Sequence, residues 1–350
     1  MTTDGMKVVI VGGGVGGVSC AQRLARRRDG IQVELIDRTL RHDFAPSFLW
    51  VLSGRRSPEA VSRPLAALRR DGLELTEAEV TGLDPAAGEV ATTAGPRGFD
   101  ELVLAPGGAL AADAVPGLAE AAHGFYTRED SERLRDALVA FGGGRVLVVV
   151  AAMPFKCPAA PYEAAFLIED LLRRRGVSAR VDVATAEPQP LRVAGREVGA
   201  QVAALLSGRG VGLTTGRRLE SVDPDRREAR FADGVEPYDL LLAVPPHRPP
   251  AFIASSPLAG PQGWIPVDPA TLRAARAMSF RVQAVDADGG EGDEFMSSGN
   301  RAMAAVRDVL VPVADPDRST LLSRLSVNDG ALVEQAECRW LPSSGRWIET

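Results

Sequence analysis

The sequence predicts an α/β protein made of two Rossmann-like, three-layer domains. Three observations predict it. A β-branched strand, a glycine-rich turn, a helix and a second apolar strand follow one another over Lys7–Asp37. The strand–turn–helix–strand order returns over Arg145–Thr185. Each half then closes on an aromatic–acidic pair and an apolar strand, Phe99–Ala105 in the first and Tyr238–Val244 in the second. Short β-branched runs alternating with helical segments are the pattern of βαβ units.

The first unit carries chemistry. Gly12, Gly14 and Gly17 fit the spacing G-x-G-x-x-G after the strand Lys7–Val11. The first glycine permits a tight turn, the second lets backbone approach a pyrophosphate, and the third lets helix and strand pack closely. The helix N-terminus would face the phosphates with unpaired N–H groups and its positive dipole end. Asp37 closes the second strand twenty residues after Gly17, where a carboxylate accepts hydrogen bonds from a ribose. The competing reading is a glycine-rich turn in an ordinary βαβ unit; strand, glycines, helix and acid occurring together favour the nucleotide site.

Along the chain, Arg41–Trp50 is rich in aromatics and breakers. It reads either as a core-packing loop or as apolar surface beside a flat ring, with His42 or Ser47 nearby. A helix is expected at Glu59–Arg70, then a polar β region at Leu73–Leu75, Glu79–Leu83 and Glu89–Thr93. Asp100–Gly108 reads as a buried strand ending in a glycine turn, and Val115–Leu118 as a crossing between domains. A helix at Ser131–Phe141 leads to the strand Arg145–Val150. The next turn, Ala151–Pro161, contains no glycine. Met153, Phe155 and the prolines obstruct the close approach that a pyrophosphate needs, so the second scaffold lacks its phosphate loop. The helix Pro161–Arg175 has proline at its first position, arginines at its C-terminal end and Gly176 to stop it. A strand at Ala179–Thr185, a helix at Val198–Leu206 and short strands at Val211–Leu213, Glu220–Val222 and Glu228–Phe231 follow. Asp288–Asn300 reads as an acidic glycine-rich loop, Asn300–Leu310 as a helix, and the remainder as short and polar.

The net charge of −6 offers nothing for nucleic acid. The cysteines, Cys20, Cys157 and Cys338, have neither metal-ligand spacing nor the density of a secreted disulfide framework, so no metal site is expected. Neither a signal peptide nor an apolar run long enough to cross a bilayer is read. The expectation is a cytoplasmic protein, with peripheral contact at the inner face of a membrane and a homodimer left open. Cys20 falls inside the first helix and reads as core. Cys157 stands beside Lys156 just before a helix, a setting that lowers a thiol's pKa and makes it a nucleophile; the alternative is a buried structural cysteine.

Several segments together resemble the sulfide:quinone oxidoreductase and flavocytochrome c sulfide dehydrogenase group, flavoproteins of the pyridine nucleotide-disulfide reductase class. They are Gly12–Gly17, Asp43-Phe44-Ala45-Pro46-Ser47, Leu102–Gly107, Lys156-Cys157-Pro158-Ala159-Ala160-Pro161-Tyr162-Glu163, Pro245-Pro246-His247 and Gly263-Trp264-Ile265-Pro266-Val267-Asp268. The likeness runs from about Lys7 to Arg273, and the Lys156–Glu163 and Gly263–Asp268 segments are its specific part. It implies the glutathione-reductase type of fold and FAD in the first domain. Gly12, Gly14, Gly16 and Gly17 would hold the pyrophosphate, Asp37 with Arg38 the ribose side, and Pro46, Ser47, Ala105 and Gly107 the flavin side. It implies residues 1–112 as the first part of the FAD domain, 113–245 as the second Rossmann-like domain, 246–290 as the return to the FAD domain and 291–350 as a divergent tail.

In this group the cysteine matching Cys157 faces the flavin and is redox active, so Cys157 and Lys156 are the implied catalytic pair. A sulfide- or thiol-type donor would pass two electrons through Cys157 to the flavin, and a quinone-like acceptor would remove them. Two departures stand out. The family's Ala-x-Gly-Asp strand is matched only by Ala284-Val285-Asp286, without its glycine, which leaves Asp286 as the expected FAD ligand there. The second redox cysteine of the family has no clear counterpart, Cys338 being the remaining candidate. The alternatives are an NAD(P)H-dependent flavin reductase of the same fold and a degenerate, non-catalytic binding module.

Overall fold

The computed structural model describes residues 5–26, 30–68, 72–269 and 271–274, together with the backbone of the strands Leu321–Asn328, Ala331–Leu341 and Arg346–Glu349. Its first half holds β1 (Lys7–Val11), α1 (Val15–Leu24), β2 (Gln32–Asp37), α2 (Phe48–Leu52), β3 (Leu73–Glu77) and β4 (Glu101–Leu104). The strands form one parallel sheet in the order β3–β2–β1–β4. Its second half, after β5 (Ala109–Leu110), holds α3 (Arg128–Ala140), β6 (Gly144–Val150), α4 (Ala160–Arg174), β7 (Ala179–Thr185), α5 (Arg196–Gly208), β8 (Gly212–Thr214) and β9 (Leu240–Val244). These strands repeat the arrangement as β8–β7–β6–β9, again parallel. The fold is therefore α/β with two Rossmann-like sheets.

Parallel strands covered on both faces are apolar throughout, and β1 and β6 show why. Val8 and Ile10 pack with Ala21 and Leu24 of α1, while Val9 and Val11 meet Val80, Val90, Phe252 and Ile253 on the other face. Val146, Val148 and Val150 pack with Ala164, Ile168 and Leu172 of α4, while Leu147 and Val149 meet Leu219, Val222 and Phe231. The outer layer in each half is a three-stranded antiparallel sheet, Val80–Asp84, Glu89–Thr92 and Arg97–Gly98 in the first and Leu219–Asp223, Glu228–Phe231 and Gly234–Pro237 in the second. Helix, parallel sheet and antiparallel sheet make the three layers.

Two connections bring the halves together. β5 pairs antiparallel with β10 (His247–Arg248), with Leu110 opposite His247, so the outgoing and returning crossings lie side by side. Leu49 and Leu52 of α2 enter the apolar cluster of the second half, beside Leu134 and Leu138 of α3, and Arg128 Nε lies 3.7 Å from Asp43 Oδ2.

Two expectations change. Glu59–Arg70 is not one helix but a 3-10 turn at Glu59–Val61, a strand at Ser62–Pro64 and a second 3-10 turn at Leu65–Leu68. Pro64, in mid-segment, lacks an N–H and disfavours the helical conformation of the residue before it, and Ser62–Pro64 instead pairs with Arg41–Asp43. The tail, read only as short and polar, carries a three-stranded antiparallel sheet over Leu321–Asn328, Ala331–Leu341 and Arg346–Glu349; pairing across strands stabilises such segments. Asp286, the loop at Asp288–Asn300 and the helix at Asn300–Leu310 lie outside the described residues, as does any side-chain tie of Cys338 to Cys157.

Candidate functional site

The first part of the site is built where β1 meets α1. Gly12 adopts φ +106°, and a Cβ there would stand 2.3 Å from Ala105 O. A Cβ on Gly17 would stand 1.8 Å from Gly12 O, so helix and turn touch backbone to backbone. Gly14 is different: nothing lies within 4 Å of its would-be Cβ. It is also the N-cap of α1 and supplies no side-chain hydrogen bond to it. The first-turn N–H groups of a helix have no acceptor within the helix, and Gly16, half-buried in that turn, contributes one of them.

Asp37 Oδ2 accepts the Gly13 N–H at 2.7 Å, and Oδ1 accepts the Thr39 N–H at 3.0 Å. The carboxylate at the end of β2 is thereby tied to the glycine turn. His42 Nδ1 lies 3.0 Å from Gly13 O; a carbonyl only accepts, so the ring donates and pins the turn from below. Ala105 donates its N–H to Val11 O at 2.9 Å. Gly107, at φ +74°, has open space where a side chain would be. Gly12, Gly14, Gly16, Gly17, Asp37, Ala105 and Gly107 therefore meet at one carboxyl edge. Arg38 is exposed beside them. On the 3-10 turn Ala45–Ser47, Pro46 is exposed and Ser47 is buried. An open glycine, uncapped helix N–H groups and an acid at the next strand end fit a dinucleotide pyrophosphate and ribose.

The second part is built where β6 meets α4. Val150 and Val244 are register partners, and Ala151 N–H donates to Val244 O at 3.0 Å. The turn after β6 and the segment after β9 thus leave the same edge of adjacent strands. Cys157 adopts φ +52°, a left-handed backbone. Tyr126, just before α3, holds it there: its hydroxyl donates to Lys156 O at 2.8 Å and to Cys157 O at 3.2 Å. Lys156 Nζ sits 5.8 Å from the centre of the Tyr126 ring, and His247 meets the same ring edge-on at 5.9 Å.

Cys157 is free and solvent-accessible, whereas Cys20 is buried and its thiol is pushed up to about 11. The expectation that the setting acidifies Cys157 is overturned. Desolvation by the surrounding protein raises its pKa, and Glu163 adds to that, against lowering by the Ala160 N–H and the Lys156 ammonium. Desolvation likewise lowers the pKa of Lys156, with the Cys157 charge working against it.

Four side chains here were not singled out for chemistry by sequence: Tyr126, His247, Tyr162 and Glu187. His247 and Tyr162 had a signal, as parts of the Pro245-Pro246-His247 and Lys156–Glu163 segments; Tyr126 and Glu187 had none. Glu187 lies just past β7, where an acid would serve the ribose of a second nucleotide. Its carboxylate is taken: buried Tyr162 donates its hydroxyl to Oε2, and the Arg192 N–H donates to Oε1 at 3.3 Å. Burial raises the pKa of Glu187.

Comparison with known proteins agrees with this geometry. The profile of the pyridine nucleotide-disulphide oxidoreductase family matches residues 6–271. The chain is 26% identical over 283 residues to the mitochondrial sulfide:quinone oxidoreductase of Mus musculus, covering 76% of this chain and 62% of that protein. It is 30% identical over 245 residues to alternative NAD(P)H-ubiquinone oxidoreductase C1 of Arabidopsis thaliana, covering 62% of this chain and 45% of that one. It thus spans less than two thirds of the length of either. The crystal structure of the Aquifex aeolicus sulfide:quinone oxidoreductase superposes with a TM-score of 0.73 at 22% identity, over 99% of this chain and 86% of that one; it shares the fold.

Proposed function

The chain belongs to the pyridine nucleotide-disulphide oxidoreductase family, and from that premise we propose an FAD-dependent oxidoreductase. It moves two electrons from a sulfide- or thiol-type donor, by way of Cys157 and the flavin, to a quinone-like acceptor. One observation carries the reading: an accessible cysteine stands in the turn where a second phosphate loop would be, in a chain whose first half has an open glycine turn at a helix N-terminus.

FAD would supply reversible two-electron acceptance. The α1 N-terminus beside Gly14 and Gly16 would hold its pyrophosphate, Asp37 with Arg38 its ribose side, and Ala105–Gly107 with Pro46 and Ser47 the flavin side. Tyr126 fixes the backbone of Lys156 and Cys157, which presents the thiol. The Lys156 ammonium favours the anionic form of that sulfur. Against NAD(P)H as donor stand the glycine-free turn and the occupied carboxylate of Glu187. The names of the mouse and Arabidopsis relatives both contain a quinone, which supports the acceptor. Quinones dissolve in lipid, so contact with a membrane surface belongs to the same proposal. No helix among the described residues is long and apolar enough to cross a membrane.

The test is the absorption spectrum of the FAD-loaded protein. Sulfide should bleach the flavin bands, NADH should not, and an added soluble quinone should restore them. Cys157→Ala should abolish bleaching by sulfide. Bleaching by NADH alone would favour the flavin-reductase alternative, and a protein that takes up no FAD would favour the non-catalytic one.

A further inference from the structure

We propose that His247 is the proton acceptor of this site, its Nε2 taking the S–H proton of the incoming sulfur donor. The inference rests on the sulfide- or thiol-donor reading above.

The argument starts from the ring's two nitrogens. Nδ1 lies 2.9 Å from Pro245 O. A carbonyl oxygen accepts only, so Nδ1 carries the proton and Nε2 keeps the lone pair. Among the described residues that Nε2 is buried and has no hydrogen-bond partner. A buried acceptor left unsatisfied is unfavourable, and a group that brings its own proton removes that penalty.

The position of the ring supplies the second line. His247 is on β10, held by pairing with Leu110 at the domain crossing. Its ring abuts Tyr126, the residue whose hydroxyl binds the carbonyls of Lys156 and Cys157. The titratable groups facing it are Tyr126 from the segment before α3 and Lys156 from the turn after β6. Its neighbour Arg248 is held by Asp113 at 2.8 Å. Desolvation first, and the Lys156 charge with it, depress the imidazole's pKa against an opposing hydrogen bond to Pro245. His247 is thus neutral, with its acceptor ready, at neutral pH.

The step moves one proton and no electrons. The donor's S–H bond breaks and an Nε2–H bond forms, leaving a sulfur anion and an imidazolium. The anion is the species competent for two-electron donation. The raised pKa of Cys157 makes such an acceptor useful, because that thiol does not hold a negative charge of its own at neutral pH.

The chain has three histidines, His42, His123 and His247, so selective labelling gives three imidazoles to observe. In the ¹⁵N-histidine-labelled, FAD-loaded full chain, the signal lost in His247→Gln should show the Nδ1–H tautomer and a protonation midpoint below 6.5. Added sodium hydrosulfide should shift its Nε2 resonance. If His247→Gln does not fold, His42→Gln and His123→Gln identify the signal by elimination. In stopped flow, His247→Gln should bind FAD normally but slow flavin reduction by sulfide about 100-fold near neutral pH. It should also lose the acid limb of the wild-type pH profile, and imidazole should restore rate to His247→Ala. An Nε2–H tautomer, or a variant with the wild-type rate and pH profile, overturns the inference. If sulfide leaves the wild-type flavin oxidised, the donor reading fails. The inference on His247 then falls with it, whereas an unshifted Nε2 resonance in a protein whose flavin is bleached by sulfide overturns the inference on His247 alone.

Discussion

Replacing Gly17 with alanine should break the junction on which the cradle rests. The added methyl would stand 1.8 Å from Gly12 O and 3.4 Å from Ile10 Cγ2. A carbon approaches a carbonyl oxygen to roughly 3.3 Å, so helix and turn must part by about 1.5 Å. Neither can yield locally, because Gly12 is itself bonded to β2 through Ile36 O at 2.8 Å. Overpacking of this kind costs about 1–3 kcal/mol, and more where backbone must shift. Alanine's better helix propensity returns only about 0.5–1 kcal/mol. A net loss of about 2 kcal/mol is therefore expected in the first unfolding transition of the apoprotein, read as the urea midpoint by circular dichroism. Gly14→Ala is the matching control, since its methyl meets nothing within 4 Å. Its folding loss should stay within about 1 kcal/mol. FAD affinity, measured by fluorescence quenching, should nevertheless fall at least about tenfold, which is about 1.4 kcal/mol, because the methyl occupies the approach to the helix N-terminus. Wild-type stability for Gly17→Ala would refute the close-packing argument. Wild-type FAD affinity for Gly14→Ala would refute the placement of the pyrophosphate.

Three further outcomes are expected. Half-maximal alkylation of Cys157 by iodoacetamide, followed by peptide mass spectrometry, should fall above pH 9.0, and Lys156→Gln should move it higher still; a midpoint below that value would contradict a desolvated thiol. Burial raises Glu187 above its ordinary 4.5, so the folded state holds this proton more tightly than the unfolded chain. Its contribution to stability is thus complete below 4.5 and lost as pH rises through the folded value. Glu187→Gln should therefore raise the melting temperature at about pH 8 but hardly at about pH 4, and equal shifts would argue against a buried charge. Buried Glu34 is paired with Lys7 Nζ at 3.2 Å and Arg97 Nε at 3.0 Å, so Arg97→Ala should lose about 3 kcal/mol in urea unfolding. A loss under about 0.5 kcal/mol would mean that Lys7 suffices.

Much of this was legible because it is local. The glycine spacing, the β-branched runs and the acid at the end of β2 each depend on a few neighbours, and the doubled βαβ pattern followed from them. The absence of glycine after β6 was legible for the same reason. The helix expected at Glu59–Arg70 does not form because Pro64 disfavours it locally and Ser62–Pro64 pairs with Arg41–Asp43. The acidity expected of Cys157 failed for a different reason. Lys156 and the start of α4 are neighbours in sequence, but the desolvation that outweighs them comes from whatever packs around the turn.

By itself, then, the sequence determined that there are two Rossmann-like scaffolds, that the turn after the first strand is rich in glycine, and that the corresponding turn of the second has a cysteine and no glycine. Backbone freedom and apolar periodicity are properties of short stretches, so a short stretch reveals them. Only the tertiary structure decided what surrounds Cys157. Tyr126 is 30 residues from Lys156, Tyr162 is 25 from Glu187, and His247 reaches the turn through the pairing of β5 and β10. Charge and proton affinity depend on the solvent and dipoles that packing excludes or admits, and those are set by residues that only the fold brings together.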